Sequence, residues 1–149
     1  MELSKKEQGK KSRRQGKAFE LKVRADLEDK GWIVDRWSNN VENDKIVPAK
    51  SKWNNFTHSM MMGSGGFPDF IAFKQNNSLI CGVYKIIGVE VKIKGTLSKV
   101  EKEKLRWLLD NNIFSKILVA SKEKEGRKVV VKYKEFGNKL EMKNNNFVE

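Results

Sequence analysis

The segment Val89-Glu90-Val91-Lys92-Ile93 sets the pattern from which the fold can be predicted. Successive side chains of a β-strand point to opposite faces of a sheet. We therefore expect the three aliphatic residues to face a hydrophobic core and the two charged residues to share the other face. The apolar run around this segment covers residues 79–93, which is too long for one ordinary strand. A bend or bulge near Gly82 or Gly88, or a pair of strands, is expected there.

A first helix is predicted over residues 13–30, well ahead of this strand. Phe19, Val23 and Leu27 recur at four-residue spacing and would form its buried face. Gly31 stands where the C-terminus of a helix favours a residue that can take a positive φ. The helix is therefore expected to end in a turn that leads directly into a strand.

A second helix over residues 97–109 is the best-marked element of the chain. Ser98 and Glu101 match the S-x-x-E capping box, in which each side chain caps the backbone of the other residue. Its apolar face is expected to comprise Val100, Leu105, Leu108 and Leu109.

Short apolar runs between polar turns predict the remaining strands, at residues 32–37, 69–73, 117–120 and 128–133. Residues 38–62 are rich in asparagine and break the pattern, so an irregular insertion is expected there. Strands that alternate with helices in this way predict an α/β fold, with a central mixed β-sheet flanked by helices.

The length of 149 residues predicts one domain, because such a chain can bury a core but rarely divides. We place the domain at residues 13–136. A basic flexible arm is expected at residues 1–12 and a polar tail at residues 137–149.

Composition restricts the class of partner. The chain holds 31 Lys and Arg against 19 Asp and Glu, for a net charge of +12, which favours a polyanion such as nucleic acid. No apolar run approaches the ~18–20 residues that cross a bilayer. The N-terminus lacks the apolar stretch of a secretory signal, so we expect a cytoplasmic protein without a membrane partner. One cysteine and one histidine exclude an internal disulfide framework and a zinc site of the usual Cys/His kind.

Seven basic side chains near the N-terminus form the predicted nucleic-acid-binding surface. The same segment contains only two acidic residues, Glu2 and Glu7. Such a basic segment can neutralise DNA phosphates and release their counterions. The alternative is a solvated tail that only keeps the protein in solution. The seven residues are Lys5, Lys6, Lys10, Lys11, Arg13, Arg14 and Lys17.

Three carboxylates and a lysine are predicted to meet at one edge of the sheet. Glu90 and Lys92 share a strand face, and Asp69 would lie beside them if its strand pairs with theirs. Glu20 borders the buried face of the first helix. Mg²⁺ prefers oxygen ligands, can lower the pKa of a bound water and can stabilise charge on a phosphate under attack. Each feature alone is common on protein surfaces, and the ordered set in a strongly basic chain is what favours a metal site.

Pro68-Asp69 followed by Glu90-Val91-Lys92 resembles the PD-(D/E)XK motif of the restriction-endonuclease-like nucleases, and the resemblance covers roughly residues 13–120. Within that superfamily, Gly16-Lys17-Ala18-Phe19-Glu20 is similar to the opening helix of archaeal Holliday junction resolvases. Gly63-Ser64-Gly65-Gly66-Phe67-Pro68-Asp69 is similar to their serine-containing loop.

This resemblance implies a restriction-endonuclease-like core and a Mg²⁺-dependent DNA endonuclease that hydrolyses phosphodiester bonds, with Mn²⁺ as a substitute metal. It implies a homodimer that cleaves branched DNA in recombination or repair, since two strands must be cut symmetrically. The implied site residues are the metal ligands Glu20, Asp69 and Glu90, the catalytic lysine Lys92 and the auxiliary residue Ser64.

Other interpretations stay open. A virus-type replication-repair nuclease or a mobile-element nuclease would carry the same motif with another DNA substrate. A DNA-binding module on the same fold would lack turnover, although an inactive relative would usually have lost one of the site residues. An RNA-binding protein is less favoured because no aromatic-rich RNA-binding signature is present. Trp53 and Phe56 lie among lysines and asparagines, and could stack on unpaired bases or form a small local core.

Overall fold

Two helices pack on opposite faces of a five-stranded mixed sheet in the computed structural model, which describes residues 4–61, 65–77 and 82–137. The helices are α1 (Lys5–Asp29) and α2 (Lys99–Asp110). The strands are β1 (Ile33–Arg36), β2 (Asn39–Glu42), β3 (Lys45–Pro48), β4 (Lys52–Asn54), β5 (Ser59–Met61), β6 (Phe70–Gln75), β7 (Tyr84–Val91), β8 (Lys116–Glu125) and β9 (Lys128–Glu135).

The main sheet has the strand order β1-β6-β7-β8-β9. Strands β7 and β8 run parallel, and the other three neighbouring pairs run antiparallel. Helix α2 lies in the crossover between the two parallel strands, since a parallel pair cannot be joined by a tight turn. The predicted α/β architecture around a mixed sheet is confirmed.

Helix α1 begins earlier than the apolar spacing predicted. The Ser4 hydroxyl accepts a hydrogen bond from the Glu7 N–H, and the Glu7 carboxylate accepts one from the Ser4 N–H, so a capping box starts the helix. Residues 5–12 are therefore helical, and the prediction of a flexible arm there is wrong. The spacing of apolar residues could not reveal this part of the helix, because residues 5–12 include no large apolar side chain.

The C-terminal half of α1 follows the prediction. Phe19, Val23 and Leu27 are buried, and they pack on the sheet face that carries the even-numbered side chains of β1 and the odd-numbered side chains of β7. Gly31 takes a φ of +83° just after the helix, as expected for its position. In the strand that follows, Val34 is buried while Ile33 is exposed, as expected for side chains that alternate between the two faces of a sheet.

Helix α2 covers the opposite face of the sheet. Its capping box forms as predicted, and Leu105 and Leu108 are fully buried against Phe114 and Ile117. Val100, predicted on this apolar face, is instead 59% exposed. It lies roughly a third of a turn away from the middle of the buried face, as the helical period requires.

The prediction that residues 38–62 are irregular is wrong for residues 39–61. They form two β-hairpins, β2–β3 and β4–β5. Asn43 and Asp44 connect the first hairpin with φ values of +50° and +55°, and this tight turn favours short polar side chains at both positions. Val41 from the same hairpin is buried in the α2 cluster, so the hairpin is part of the core.

A bend lies at Gly82 in the long apolar run, as expected, and residues 79–81 of that run lie outside the described residues. Gly82 takes a φ of +83° ahead of β7, and β7 itself pairs with β6. Gly88 stays within the regular strand, where an added Cβ would lie 3.0 Å from Pro68 Cγ and 3.1 Å from Phe114 Cδ2. The tail was predicted at residues 137–149, and all of it except Gly137 lies outside the described residues.

Gly66 fixes the loop that leads into β6. A Cβ at this position would lie 2.0 Å from the Trp37 carbonyl oxygen and 2.4 Å from the Asn39 carbonyl oxygen. Two backbone hydrogen bonds hold the same loop, from the Phe67 N–H to the Asn39 carbonyl and from the Trp37 N–H to the Asp69 carbonyl, at 2.8 and 3.1 Å. The backbone position of Asp69 therefore depends on this close approach.

We expect Gly66→Ala to lower the free energy of unfolding by at least about 2 kcal/mol, because neither backbone carbonyl can move away without breaking the loop hydrogen bonds. Gly16→Ala is the matched control, since a Cβ there meets nothing within 4 Å. That variant should be unchanged or up to about 1 kcal/mol more stable, because alanine favours the helix. Urea denaturation measures both, and equal stability of the two variants would contradict the tight approach.

Candidate active site

Asp69 and Glu90 lie side by side at one end of β6 and β7, two inner strands of the main sheet. Asp69 directly precedes β6, and Phe70 pairs with Val89, so the antiparallel register sets Asp69 opposite Glu90. The Asp69 Oδ2 atom accepts a hydrogen bond of 2.8 Å from the Val91 N–H. The two strands do pair, which was the condition for these carboxylates to lie close together.

Lys92 lies between two carboxylates. Its Nζ atom is 3.2 Å from Glu90 Oε1 and 2.5 Å from Glu101 Oε1. Glu101 also accepts a hydrogen bond of 2.8 Å from the Ser98 N–H, as the partner in the α2 capping box. The side chain that completes the capping box of α2 therefore also holds the lysine, a contact that the sequence analysis did not foresee.

Glu90 is the buried charged residue of the described core, with a 3% exposed surface. Its Oε2 atom has no hydrogen-bond partner among the described residues. Burial, together with the negative charge of Asp69, raises the pKa of Glu90 to about 8, against the opposing effect of Lys92. Burial also raises the pKa of Asp69, although the Val91 N–H opposes the shift. The two carboxyl groups therefore hold a proton near neutral pH when no cation compensates their charge.

Glu20 on α1 interacts electrostatically with Asp69. Its half-buried carboxylate is 3.4 Å from Arg36 Nη2. Burial raises the pKa of Glu20, and the charge of Asp69 adds to the shift, so the two groups sense each other electrostatically. The structure thus brings Asp69, Glu90 and Lys92 together, and it pairs Glu20 with an arginine that the sequence analysis had not singled out.

The carboxylates of Asp69 and Glu90 are candidate ligands for a divalent cation. An acidic oxygen without a partner, beside a second carboxylate whose pKa is raised, is an environment that gains from added positive charge. Within the described residues, however, no group of three or more acidic, histidine or cysteine side chains is arranged to hold a metal ion. Asp69 and Glu90 are the two carboxylates that lie together, and Glu20 is linked to them through the effect of the Asp69 charge on its pKa.

The predicted basic residues lie on the exposed N-terminal half of α1. All seven are solvent-exposed. Four of them, at positions 6, 10, 13 and 17, follow the spacing of four and three residues that lines up one side of a helix, and Glu20 continues the same line. We call these four residues, Lys6, Lys10, Arg13 and Lys17, the basic stripe. Ser64, the predicted auxiliary residue, lies outside the described residues.

No protein-family model matches this chain, and neither does any curated protein or solved structure. Neither α1 nor α2, the helices of the described part of the chain, is long and apolar enough to span a membrane. The candidate site therefore rests on the geometry and electrostatics of its own residues.

The raised pKa of Glu90 predicts that stability falls as the pH rises from about 4.5 to about 8. In this window the folded protein keeps a proton that the unfolded chain has released, so the free energy of unfolding drops by up to about 1.4 kcal/mol per pH unit. The Gln side chain of Glu90→Gln cannot titrate. The free energy of unfolding of this variant, relative to that of the wild-type protein, should therefore rise across this pH window and then level off.

Urea denaturation in a chelating buffer, from about pH 4 to about pH 9, measures this difference. Glu103→Gln, which removes an exposed carboxylate from α2, is the matched control. A stability difference between wild type and Glu90→Gln that stays constant with pH would contradict the buried-proton interpretation.

Proposed function

We propose that the chain is a divalent-metal-dependent DNA endonuclease with a restriction-endonuclease-like core, most similar to the archaeal Holliday junction resolvases. One observation carries this proposal: Asp69 from a Pro-Asp loop and Glu90 from a Glu-x-Lys strand lie side by side, with Lys92 held against Glu90. The central mixed sheet with a helix on each face supports it, since the resemblance implies such a core.

Asp69 and Glu90 would bind Mg²⁺, or Mn²⁺ in its place, and Glu20 would complete the acidic set. When bound, the cation lowers the pKa of a bound water and stabilises negative charge on the phosphate under attack. The Val91 N–H fixes the orientation of the Asp69 carboxylate. Because burial raises the pKa of Glu90, a cation would have to displace a proton there, and its charge would then offset the repulsion between the two carboxylates.

Lys92 would act as a fixed positive charge. Burial disfavours its ammonium, but the hydrogen bond to Glu101 and the charge of Glu90 outweigh that effect and raise the pKa of Lys92. The side chain therefore stays charged at neutral pH and cannot serve as a general base. A positioned cation of this kind stabilises negative charge where it develops on the phosphate.

The basic stripe would bind the DNA backbone. It lies on the half of α1 that precedes Phe19, the first buried residue of the helix, and this half extends for about 20 Å at 1.5 Å per residue. Contacts from lysine and arginine to phosphates position a protein on DNA without reading its sequence. Because the stripe leads to Glu20, a duplex bound along it would approach the acidic residues.

A homodimer belongs to the proposal, since symmetric cleavage of two strands requires two sites. An apolar row on the main sheet supports it. Ile33 pairs with Phe73, and Phe73 pairs with Ile86, so the three side chains share one face, and both isoleucines are exposed. Exposed apolar residues that lie next to one another in this way often mark a protein interface.

A DNA-binding module without turnover is the alternative from a different class. The exposed basic residues of α1 favour DNA binding in either case. Cleavage assays on four-way junctions, flaps, linear duplex and single strands distinguish these functions. A binding module would cleave none of them, whereas a nuclease would cleave at least one. Preferred cleavage of branched substrates would favour the resolvase-like function over the virus-type and mobile-element alternatives.

Lys92→Ala should lower the cleavage rate at saturating DNA by ~10²-fold or more, because it removes charge stabilisation in the transition state. DNA affinity should change little, since binding depends on many phosphate contacts. Lys85→Ala, on the exposed part of the same strand, is the matched control and should keep the wild-type rate. Asp69→Ala should abolish cleavage.

These variants are measured in Mg²⁺ by single-turnover cleavage and, with a chelator, by DNA binding. If Lys92→Ala weakened binding and kept the saturated rate, the catalytic role would be wrong and the binding module would be favoured. Full cleavage by Asp69→Ala would remove the metal-site assignment.

Replacing three residues of the basic stripe should reduce DNA affinity and flatten its salt dependence by ~0.9 for each lost phosphate contact. The stripe variant carries Lys6→Ala, Lys10→Ala and Arg13→Ala. The control variant removes the same charge from the β8–β9 hairpin through Lys122→Ala, Lys124→Ala and Lys128→Ala. Binding is measured by fluorescence anisotropy over a range of salt concentrations. Equal losses in the two variants would show that net charge, rather than the stripe, determines affinity.

A further inference from the structure

Hairpin β4–β5 presents two aromatic side chains to solvent. Trp53 on β4 is 55% exposed and Phe56 in the connecting loop is 94% exposed. The sequence left open whether these aromatic residues form a small local core, and their exposure contradicts that alternative. Burying either ring against a partner would remove a large apolar surface from water.

The loop that carries Phe56 is held by its own polar groups. The Asn54 Oδ1 atom accepts hydrogen bonds from the N–H groups of Phe56 and Thr57, at 2.9 and 3.2 Å. The hydroxyl groups of Thr57 and Ser59 lie 2.8 Å apart and share a hydrogen bond. These contacts keep the aromatic ring at the tip of the hairpin, so it is presented in advance of any binding.

The two strands of this hairpin pair with each other in a separate two-stranded sheet, apart from the main sheet. The neighbouring hairpin β2–β3 differs, because Val41 anchors it in the α2 cluster. Trp53 and Phe56 are both absent from the core clusters of the described residues. Hairpin β4–β5 is therefore a projection whose aromatic residues contribute little to the core.

Charge around the hairpin favours a polyanionic partner. Residues 45–68 contain three lysines, at positions 45, 50 and 52, and no aspartate or glutamate. Aromatic rings beside lysines and asparagines suit a nucleotide, because the ring stacks on a base while the ammonium groups attract the phosphates. A protein partner or a second copy of this basic chain would bring less complementary charge to the same surface.

The hairpin is also close to the candidate active site along the chain. Met61 at the end of β5 and Asp69 are eight residues apart, so they can be separated by at most about 28 Å. Gly66 in this connection is fixed against Trp37 and Asn39. DNA held at Asp69 and Glu90 would therefore have its neighbouring nucleotides within reach of the hairpin.

We propose that Trp53 and Phe56 stack on unpaired bases, so that hairpin β4–β5 selects DNA that carries a single-stranded segment or a branch over continuous duplex. This inference rests on the proposed DNA endonuclease function, to which it adds the substrate class and the residues that recognise it. Bases inside a duplex are stacked on one another and offer no free face, whereas bases at a branch or in a single strand do.

The test compares DNA binding in a chelating buffer, where no cleavage is required. The probes are a labelled oligothymidine, a forked duplex and a fully paired duplex. Trp53→Ala and Phe56→Ala should each weaken binding of the oligothymidine and of the fork by roughly 5- to 150-fold for each stacked base lost. Affinity for the paired duplex should stay within about 2-fold, since its phosphate contacts remain.

Two control variants separate stacking from general damage. Trp53→Phe keeps a flat ring and should retain most of the affinity. Ile46→Ala truncates a partly exposed apolar side chain on the neighbouring hairpin and should bind all three probes normally. Quenching of tryptophan fluorescence by oligothymidine should be present in the wild-type protein and strongly reduced in Trp53→Phe, because Trp53 is the ring in contact with the base.

Equal losses for all three probes, or no loss for any, would overturn the proposal. The proposal would also be overturned if Trp53→Ala and Phe56→Ala bound DNA normally but changed the oligomeric state. The hairpin would then be an interface between copies of the chain. If the two variants lose binding of the fork and the single strand only, and the wild-type protein cleaves no DNA with Mg²⁺, this inference stands and the nuclease function is rejected. If the wild-type protein cleaves DNA but the variants show no selective loss of binding, the nuclease function stands and this inference is rejected.

Discussion

The contact between the buried carboxylate of Glu90 and the partly buried carboxylate of Asp69 is the constraint on which the rest of the site depends. Burial and mutual repulsion disfavour two negative charges at this position, and the pKa of Glu90 is raised as a result. The protein offsets part of that cost with the Val91 N–H and the ammonium of Lys92. One oxygen of Glu90 is left without a partner among the described residues, which is a costly arrangement for a purely structural group.

Several elements of the fold hold this pair in place. The register of β6 against β7 sets the two carboxylates opposite each other, and the loop before β6 is fixed by the close approach of Gly66 to Trp37 and Asn39. Glu101, the partner of Ser98 in the capping box of α2, also bonds Lys92. One carboxylate oxygen accepts from the Ser98 N–H and the other from the lysine, so the position of the helix and the geometry of the site are coupled.

The segment between β1 and β6 has two roles. Its first hairpin is part of the core through Val41, and Asn40 accepts a hydrogen bond of 2.8 Å from Lys104 on α2. Its second hairpin leaves Trp53 and Phe56 exposed. Helix α1 is divided in the same way, with a buried C-terminal half that packs on the sheet and an exposed basic half that precedes it. In both segments, a part that packs in the core supports a part that faces solvent and carries positive charge.

The sequence by itself determined the features that depend on local periodicity. The alternation of aliphatic and charged residues over 89–93 placed Glu90 and Lys92 on one face, and the S-x-x-E pattern located the start of α2. The spacing of Phe19, Val23 and Leu27 located the buried half of α1. These features were predictable because side-chain period and capping chemistry act within a few residues of the chain.

Only the tertiary structure decided the features that depend on contacts between distant residues. Asp69 and Glu90 are far apart in the chain, and their proximity follows from strand pairing, which periodicity does not specify. The polar segment 39–61 and the exposed half of α1 carry no apolar period, so their hairpins and helix were not predicted. The raised pKa of Glu90 has the same origin, because burial and a neighbouring charge exist only once the chain has folded.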